Sequence, residues 1–329
     1  MSRPMPRSTL SSPGLQASYV WAAAEDLLAR PGVLAVFGFG RAAQLPEDRR
    51  ALRVGLEPLG TQPAPFEVWR GQGPVATGED GALRWSSDGE HLFFALELDE
   101  AAHAGIAATT ASAYRHLTRF VGASPTPHLL RLWNYLDAIN AGEGDAERYR
   151  QFCEGRARGI ADARWSSFPA ATAIGRQDGV RTLQVYGLAT RRPGRALENP
   201  RQVSSWRYPR QYGPTAPVFA RGMLDAHGQL LISGTAAVVG HASRHPDDLD
   251  AQMAETLANL DALVAAAGLP FGTPAHSYLK AYLRDPADAP RVAATLTPRL
   301  CAAEHLLLLA GDICRSDLLV EVDGVRQPA

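Results

Sequence analysis

Hydrophobic and polar positions along this chain run through the same order twice. Residues 222–234 (GMLDAHGQLLISG) hold two short apolar runs on either side of His227-Gly228, the pattern of two strands around a turn. Residues 249–267 then place Met253, Leu257, Leu260 and Val264 at helical spacing, and Gly268 stops that helix. A strand follows over 277–284 (SYLKAYLR), and a short helix opens after Asp285-Pro286. In the first half, residues 83–98 predict strands around Asp88-Gly89, a strong hairpin signal. Ile106, Ala113, Leu117 and Phe120 share one face of a helix that ends at Gly122. A strand over 129–136 (LLRLWNYL) and a helix around 145–158 come next. Even the closing strands correspond, LQVYGLA at 183–189 and LLVEVDG at 318–324.

The order ββαβαβ, taken twice, predicts an α+β fold of two tandem domains, each a mostly antiparallel sheet with helices packed on one face. The polar, proline-containing stretch 191–200 (RRPGRALENP) is the expected linker. It divides the chain into domains over 16–195 and 196–329, preceded by residues 1–15. That first stretch is rich in Pro, Ser and Arg, without an apolar core, and reads as a disordered tail rather than a signal peptide. Sheets of this kind leave one face free to pack on a second sheet, which places a pocket at a domain or subunit seam.

Composition narrows the class without naming a function. The 329 residues are 46% apolar and 20% charged with a net charge of -1, so no bulk field favours nucleic acid or anionic lipid. The best apolar runs, 262–269 and 306–310, fall far short of the 18 or so residues that a membrane span needs. Three cysteines (Cys153, Cys301 and Cys314) without C-x-x-C spacing argue against a disulfide framework or zinc ribbon and favour a cytoplasmic setting. Cys153 and Cys301 read as small buried hydrophobes.

Three motifs resemble functional signatures but lack their context. Gly38-x-Gly40-x-x-Ala43 follows a strand like a dinucleotide fingerprint, yet Pro46 arrives where a phosphate-binding helix should start. His241 and His245 sit four apart, but Pro246 follows and no third ligand is suggested, so no metal is expected. Ser233-Gly234-Thr235 has no companion pattern for a serine hydrolase and reads as a strand end approached closely by something else.

Glu321 stands between two valines, where a strand that only packs would place an apolar residue. Alternation puts Leu319, Glu321 and Asp323 on one face and Leu318, Val320 and Val322 on the other. Two readings stay open: an edge strand with one wet face, or a carboxyl group in an apolar pocket, kept protonated by desolvation as a general acid requires. Cys314 lies seven residues earlier, roughly 23 Å along an extended chain and on the opposite face. The two share a pocket only if the polar Arg315-Ser316-Asp317 makes a turn. Residues 208–222 (YPRQYGPTAPVFARG) gather arginines and tyrosines, and Arg221 is either a surface residue or a two-pronged clamp for a carboxylate.

The segments YPRQYGPTAPVFARG, LISGTAAVVGH, QMAETLANLDALVAAAGL, SYLKAYLRDPAD and ICRSDLLVEVDG together resemble the chorismatases. These are chorismate-cleaving enzymes on the fold of the RidA/YjgF proteins, themselves related to the chorismate-mutase-like fold. LRLWNYLDAINAGEGDAERYRQFCEGRARG resembles them too, so the likeness extends from about Val33 onward. It implies two tandem RidA/YjgF-like domains, with the active site in the second, and a small-molecule substrate, chorismate, handled without cofactor. Glu321 matches the family's glutamate, which protonates the enolpyruvyl methylene so that pyruvate leaves. One subgroup lets water attack and releases a dihydrodiol. Another uses the neighbouring ring hydroxyl, passes through an arene oxide and aromatises to 3-hydroxybenzoate. Cys314 is of the hydroxybenzoate-forming type, where the hydrolysing subgroup has alanine. Ala236, after Ser-Gly-Thr, resembles the hydrolysing type. A third, bacterial subgroup makes 3- and 4-hydroxybenzoate together for pigment and quinone synthesis and fits that mixture. Substrate-binding residues carried over are Tyr212, Arg221, Gly234, Ala236, Arg148 and Arg156. The assembly expected is a monomer or a homotrimer, because a duplicated chain can satisfy internally the seam that the trimeric relatives form between copies. Other classes compatible with the residues are a RidA-like metabolite-binding module and an imine hydrolase.

Overall fold

Three large sheets and a two-stranded ribbon, β15 (Val238–Val239) with β16 (Ala242–Ser243), carry the chain, and the computed structural model describes residues 14–60, 63–269, 276–297 and 299–328. The expected tail therefore lies almost wholly outside the described residues. Leu15, its last residue, is buried in the central core.

The first repeat forms a seven-stranded sheet. Its spatial order is β19 (Asp312–Ile313), β10 (Ala170–Arg176), β9 (His128–Asp137), β11 (Thr182–Thr190), β8 (His91–Asp99), β7 (Leu83–Ser87) and β6 (Ala76–Asp80). The second repeat builds another: β12 (Arg195–Leu197), β13 (Gly222–Leu224), β14 (Leu230–Thr235), β20 (Val320–Arg326), β17 (Ser277–Leu283), β18 (Leu306–Ala310) and β4 (Pro58–Leu59). Helices α2 (Ile106–Ala123) and α3 (Arg148–Gly159) cover the outer face of the first sheet, and α4 (Leu249–Ala267) and α5 (Ala289–Leu296) that of the second. Local signals set these helices. In α4, Asp248 caps the N-terminus by accepting from the Ala251 amide at 3.0 Å, and Gly268 closes the C-terminus in the left-handed conformation (φ 74°).

The α+β class and the tandem arrangement are as the periodicity predicts, with one addition. Each repeat is ββαβαββ, because β10 and β18 enter before the closing strand, each parallel to the strand that precedes the second helix. Ala170–Arg176 is rich in small residues, and Leu306–Ala310 is a short, unbroken apolar run, so neither shows the alternation that marks a strand with one wet face.

The first seventy residues add a third, four-stranded sheet that the repeat did not predict. It runs β1 (Gln16–Val20), β5 (Phe66–Arg70), β2 (Val33–Phe39) and β3 (Ala51–Val54), backed by α1 (Ala24–Leu28). After Gly40 the chain crosses to β3 without a helix, so the glycine pair has no phosphate-binding context. The inner faces of all three sheets meet in one core that includes Phe37, Trp69, Trp133, Tyr186, Leu231 and Tyr282.

Strands also pair across residue 195. β4 joins the second large sheet, and β19 joins the first through Ile174 and Ile313. Near that junction the two sheets are stitched by Ser233, which donates to the Ala220 carbonyl (2.6 Å) and accepts from the Ala171 amide (2.9 Å). A fixed, buried hydroxyl with two backbone partners is a structural joint. Among the described residues, no helix is long and apolar enough to cross a membrane.

Candidate active site

Where β10 and β14 approach each other, the seam opens into a cavity of about 360 Å³, within the range of small-molecule sites. Both repeats contribute to it. Tyr149, Phe152 and Arg156 come from α3 and Thr172 from β10; Gly234, Ala236, Arg221, Tyr212, Cys314 and Glu321 come from the second half. Seven of the eight residues singled out in the sequence therefore meet at one place.

Glu321 lies on β20, which runs between β14 and β17 and has both faces buried, so the reading of a half-wet edge strand does not hold. Val320 and Val322 pack under the helices, whereas Glu321 and Asp323 turn toward the facing sheet. Alternation fails before residue 320: Leu318 enters the central core and the cavity wall, while Leu319 packs on the helix side. Glu321 is 5% exposed, and its carboxyl makes no hydrogen bond to another described residue. Burial first, and then the Asp323 carboxylate, push its pKa up to about 8 against the opposing pull of Arg131, Arg221 and Arg315. At neutral pH it is an acid with a proton to give.

The turn required to bring Cys314 round is present. β19 ends at Ile313, the Leu318 amide closes on the Arg315 carbonyl (3.1 Å), and β20 begins at Val320. Burial, and then Glu321, push the Cys314 thiol up to about 12, so it is an uncharged, weakly polar group beside the Tyr149 hydroxyl. Gly234 is where a strand backbone passes the acid. A Cβ there would lie 1.9 Å from Glu321 Oε1, so only glycine leaves room for that carboxyl.

Cations surround the cavity. Arg156 is 3% exposed, and its Nε and Nη2 have no hydrogen-bond partner among the described residues; its guanidinium lies over the Tyr114 ring, 5.1 Å away. Arg221 is held by the Val203 carbonyl (2.9 Å) and the Tyr208 hydroxyl (2.6 Å), with Nε unpartnered. Arg315 stacks on Tyr212 at 4.0 Å and donates to the His241 carbonyl (2.8 Å). Tyr212 in turn meets His241 Nδ1 at 3.2 Å. Buried guanidinium groups with free N–H bonds are costly unless an anion completes them.

Arg148 is the exception among the expected residues. It does not line the cavity and makes a two-point ion pair with the buried Glu100 (3.0 and 2.6 Å), because it opens α3 eight residues before Arg156, a little over two turns or about 12 Å along the helix. Sequence reasoning also missed Arg315, next to Cys314 in ICRSD, and Arg131 and Thr172 behind the acid. Arg131 carried a signal of the same kind as Glu321, a charge inside an apolar strand. His241 and His245 do not converge: the first contacts Tyr212, and the second lies 3.6 Å from Glu255. No group of three or more His, Cys, Asp or Glu side chains suited to a metal gathers among the described residues.

Comparison with known proteins agrees with this geometry. The family described as "Chorismatase FkbO/Hyg5-like, N-terminal" matches residues 67–189. A chorismatase of Streptomyces rapamycinicus is 34% identical over 276 residues, covering 79% of this chain and 81% of the relative. A 3-hydroxybenzoate synthase of Streptomyces hygroscopicus is 34% identical over 280 residues, with coverage of 79% and 81%. A crystal structure of a chorismatase superimposes with a TM-score of 0.84 at 30% identity, covering 97% of this chain and all of that one.

Proposed function

The chain belongs to the chorismatase family, and on that premise we propose that it cleaves chorismate to pyruvate and 3-hydroxybenzoate. The observation that carries this reading is the pairing, in one cavity, of a neutral buried carboxylic acid with buried guanidinium groups that lack an anion. Chorismate supplies two carboxylates for those groups and a basic enol-ether carbon for the acid.

In this mechanism Arg156, Arg221 and Tyr212 hold the carboxylates, and Glu321 transfers its proton to the enolpyruvyl methylene. The resulting oxocarbenium centre weakens the bond from oxygen to the ring. The neighbouring ring hydroxyl attacks the ring carbon, the ether bond breaks, and pyruvate leaves. The arene oxide then opens and aromatises. The proton released from the ring hydroxyl balances the one given by Glu321, and no water is consumed. Apolar walls from Phe152, Phe219 and Leu318 favour this internal route by excluding water. Cys314, as a thiol against the same space, is assigned to steering the ring's fate. Ala236, 5% exposed in the cavity wall, is the feature that favours the second reading, hydrolysis to a dihydrodiol.

Incubation with chorismate, with pyruvate followed through lactate dehydrogenase and the ring products separated by chromatography, tests the proposal. Pyruvate with 3-hydroxybenzoate is the expected result, and the proportion of 4-hydroxybenzoate is read from the same trace. Pyruvate with a diol transfers the assignment to hydrolysis. Binding without any pyruvate removes the enzymatic reading in favour of a metabolite-binding module.

A further inference from the structure

Behind Glu321, on the side away from the cavity, lies a buried ionic cluster that the chemistry above does not use. Asp323 is fully buried, two positions along the same strand and on the same face. Its Oδ2 accepts from Arg131 Nη2 (2.7 Å), Thr172 Oγ1 (2.7 Å), Tyr282 OH (2.9 Å) and Trp133 Nε1 (3.1 Å). Oδ1 has no hydrogen bond and lies 3.8 Å from Lys280 Nζ. Lys280 is itself paired at 2.8 Å with Glu67 on the four-stranded sheet, whose other oxygen accepts from Trp69 Nε1 at 2.7 Å.

These groups sum to zero: Arg131 and Lys280 against Asp323 and Glu67. A fifth buried charge on Glu321 would unbalance them, whereas a protonated Glu321 does not. Resting on the reading of Glu321 as the acid, we propose that Asp323 is a positioning residue: a fixed buried carboxylate, anchored from all three sheets, that keeps the proton on Glu321 until substrate takes it. The four-stranded sheet takes part through Glu67, because Glu67 holds Lys280 and Lys280 tempers Asp323.

The charged and titratable groups around Glu321 bear on this, the buried Arg156 of the same cavity wall among them. Arg131 on β9, Arg221 before β13 and Arg315 in the turn after β19 favour its anion. Asp323 opposes them, and Tyr149 and Cys314, also facing it, are uncharged near neutral pH. Two substrate carboxylates engaged by the cavity arginines offset the pull of Arg221 and Arg315, whereas Asp323 and the Arg131 paired with it are unaffected. The acid is therefore most firmly protonated when chorismate is bound.

The experiment is a sign test on the pH profile. In Asp323→Asn the alkaline limb of kcat/KM moves down by roughly one to two pH units, the effect of a unit charge about 7 Å away at an effective dielectric of about 20. In Lys280→Met, where Asp323 loses a compensating cation, the limb moves up by a smaller amount. Tyr282→Phe, which removes one donor from Asp323 without reaching the cavity, is the milder companion should Asp323→Asn fail to fold, and its limb also moves up. General destabilisation cannot move variants in opposite directions. A limb that stays put or moves up in Asp323→Asn overturns the inference; should that variant not fold, a limb that fails to move up in Lys280→Met and Tyr282→Phe overturns it. Infrared titration of the Glu321 carboxyl band, identified by difference against Glu321→Gln, repeats the test without substrate. A protein that releases no pyruvate but shows the opposed infrared shifts has lost the proposed reaction and kept this inference; one that releases pyruvate without the shifts has done the reverse.

Discussion

Replacing Arg156 by methionine should make the protein more stable and a worse enzyme. Two of its guanidinium nitrogens are buried without a partner, a condition that costs about 1–3 kcal/mol. Methionine keeps most of the stem's apolar volume against Tyr114 while removing that penalty. The loss is the cation–π contact with Tyr114, worth about 1–2 kcal/mol at a buried site. The midpoints of those ranges leave a net gain of about 0.5 kcal/mol, which for a chain of this size raises Tm by about 1 °C. Binding moves the other way, because a charge-assisted contact with a substrate carboxylate contributes about 2–4 kcal/mol. Since that carboxylate is unchanged between ground and transition states, the cost falls on KM, which rises by about 10²-fold or more, while kcat changes little. Thermal melts of the free protein and pyruvate-release kinetics measure the two effects. Melts with chorismate in a Glu321→Gln background, where turnover is blocked, should show a ligand-induced rise that Arg156→Met abolishes. Arg148→Met is the contrast: it strands the buried Glu100 carboxylate, so Tm falls sharply while KM holds. A lower Tm together with an unchanged KM in Arg156→Met would refute the assignment of that guanidinium to an anionic guest.

Further outcomes follow from the same cavity. Glu321→Gln should lose at least about 10³-fold in kcat and still bind chorismate, as isothermal titration will show. Wild-type activity should fall as pH rises through about 8, where the acid loses its proton. Folding stability should decline over the same direction of pH, from about 4.5 to about 8. In that window the folded state holds a proton that the unfolded chain has released, a cost of about 1.4 kcal/mol per pH unit that denaturant titration of Glu321→Gln will not show. Cys314 should react slowly with iodoacetamide at pH 7.5, as a thiol held up at about 12, and Cys314→Ala should shift product toward the diol on chromatography without halting pyruvate release. Gly234→Ala, whose methyl would occupy the space of Glu321 Oε1, should lower kcat by about 10²-fold or more while far-ultraviolet circular dichroism stays unchanged.

Much of the repeat was legible because its strands and helices are amphipathic. Met253, Leu257, Leu260 and Val264 mark α4, and the fold does place them against the sheet. β10 and β18 were not legible, since a strand covered on both sides has no polar alternation to betray it. In the site, Glu321 was visible as a charge where packing alone would have chosen an apolar residue. Arg148 and Arg156 looked alike in sequence, both arginines of one helix. What separates them is the direction of each side chain about the helix axis and the presence of Glu100 on one side only, and neither is a property of the local sequence.

Composition, periodicity and a few motifs settled the class of fold, the duplication and the family, because each depends on residues close together in the chain. The state of Glu321 depends on groups far from it: Arg131 and Thr172 across the facing sheet, Lys280 on the neighbouring strand, and Glu67 from a sheet the repeat did not foretell. Charge acts through space and burial is a sum over the whole surroundings, so whether a carboxyl keeps its proton is decided where distant segments meet.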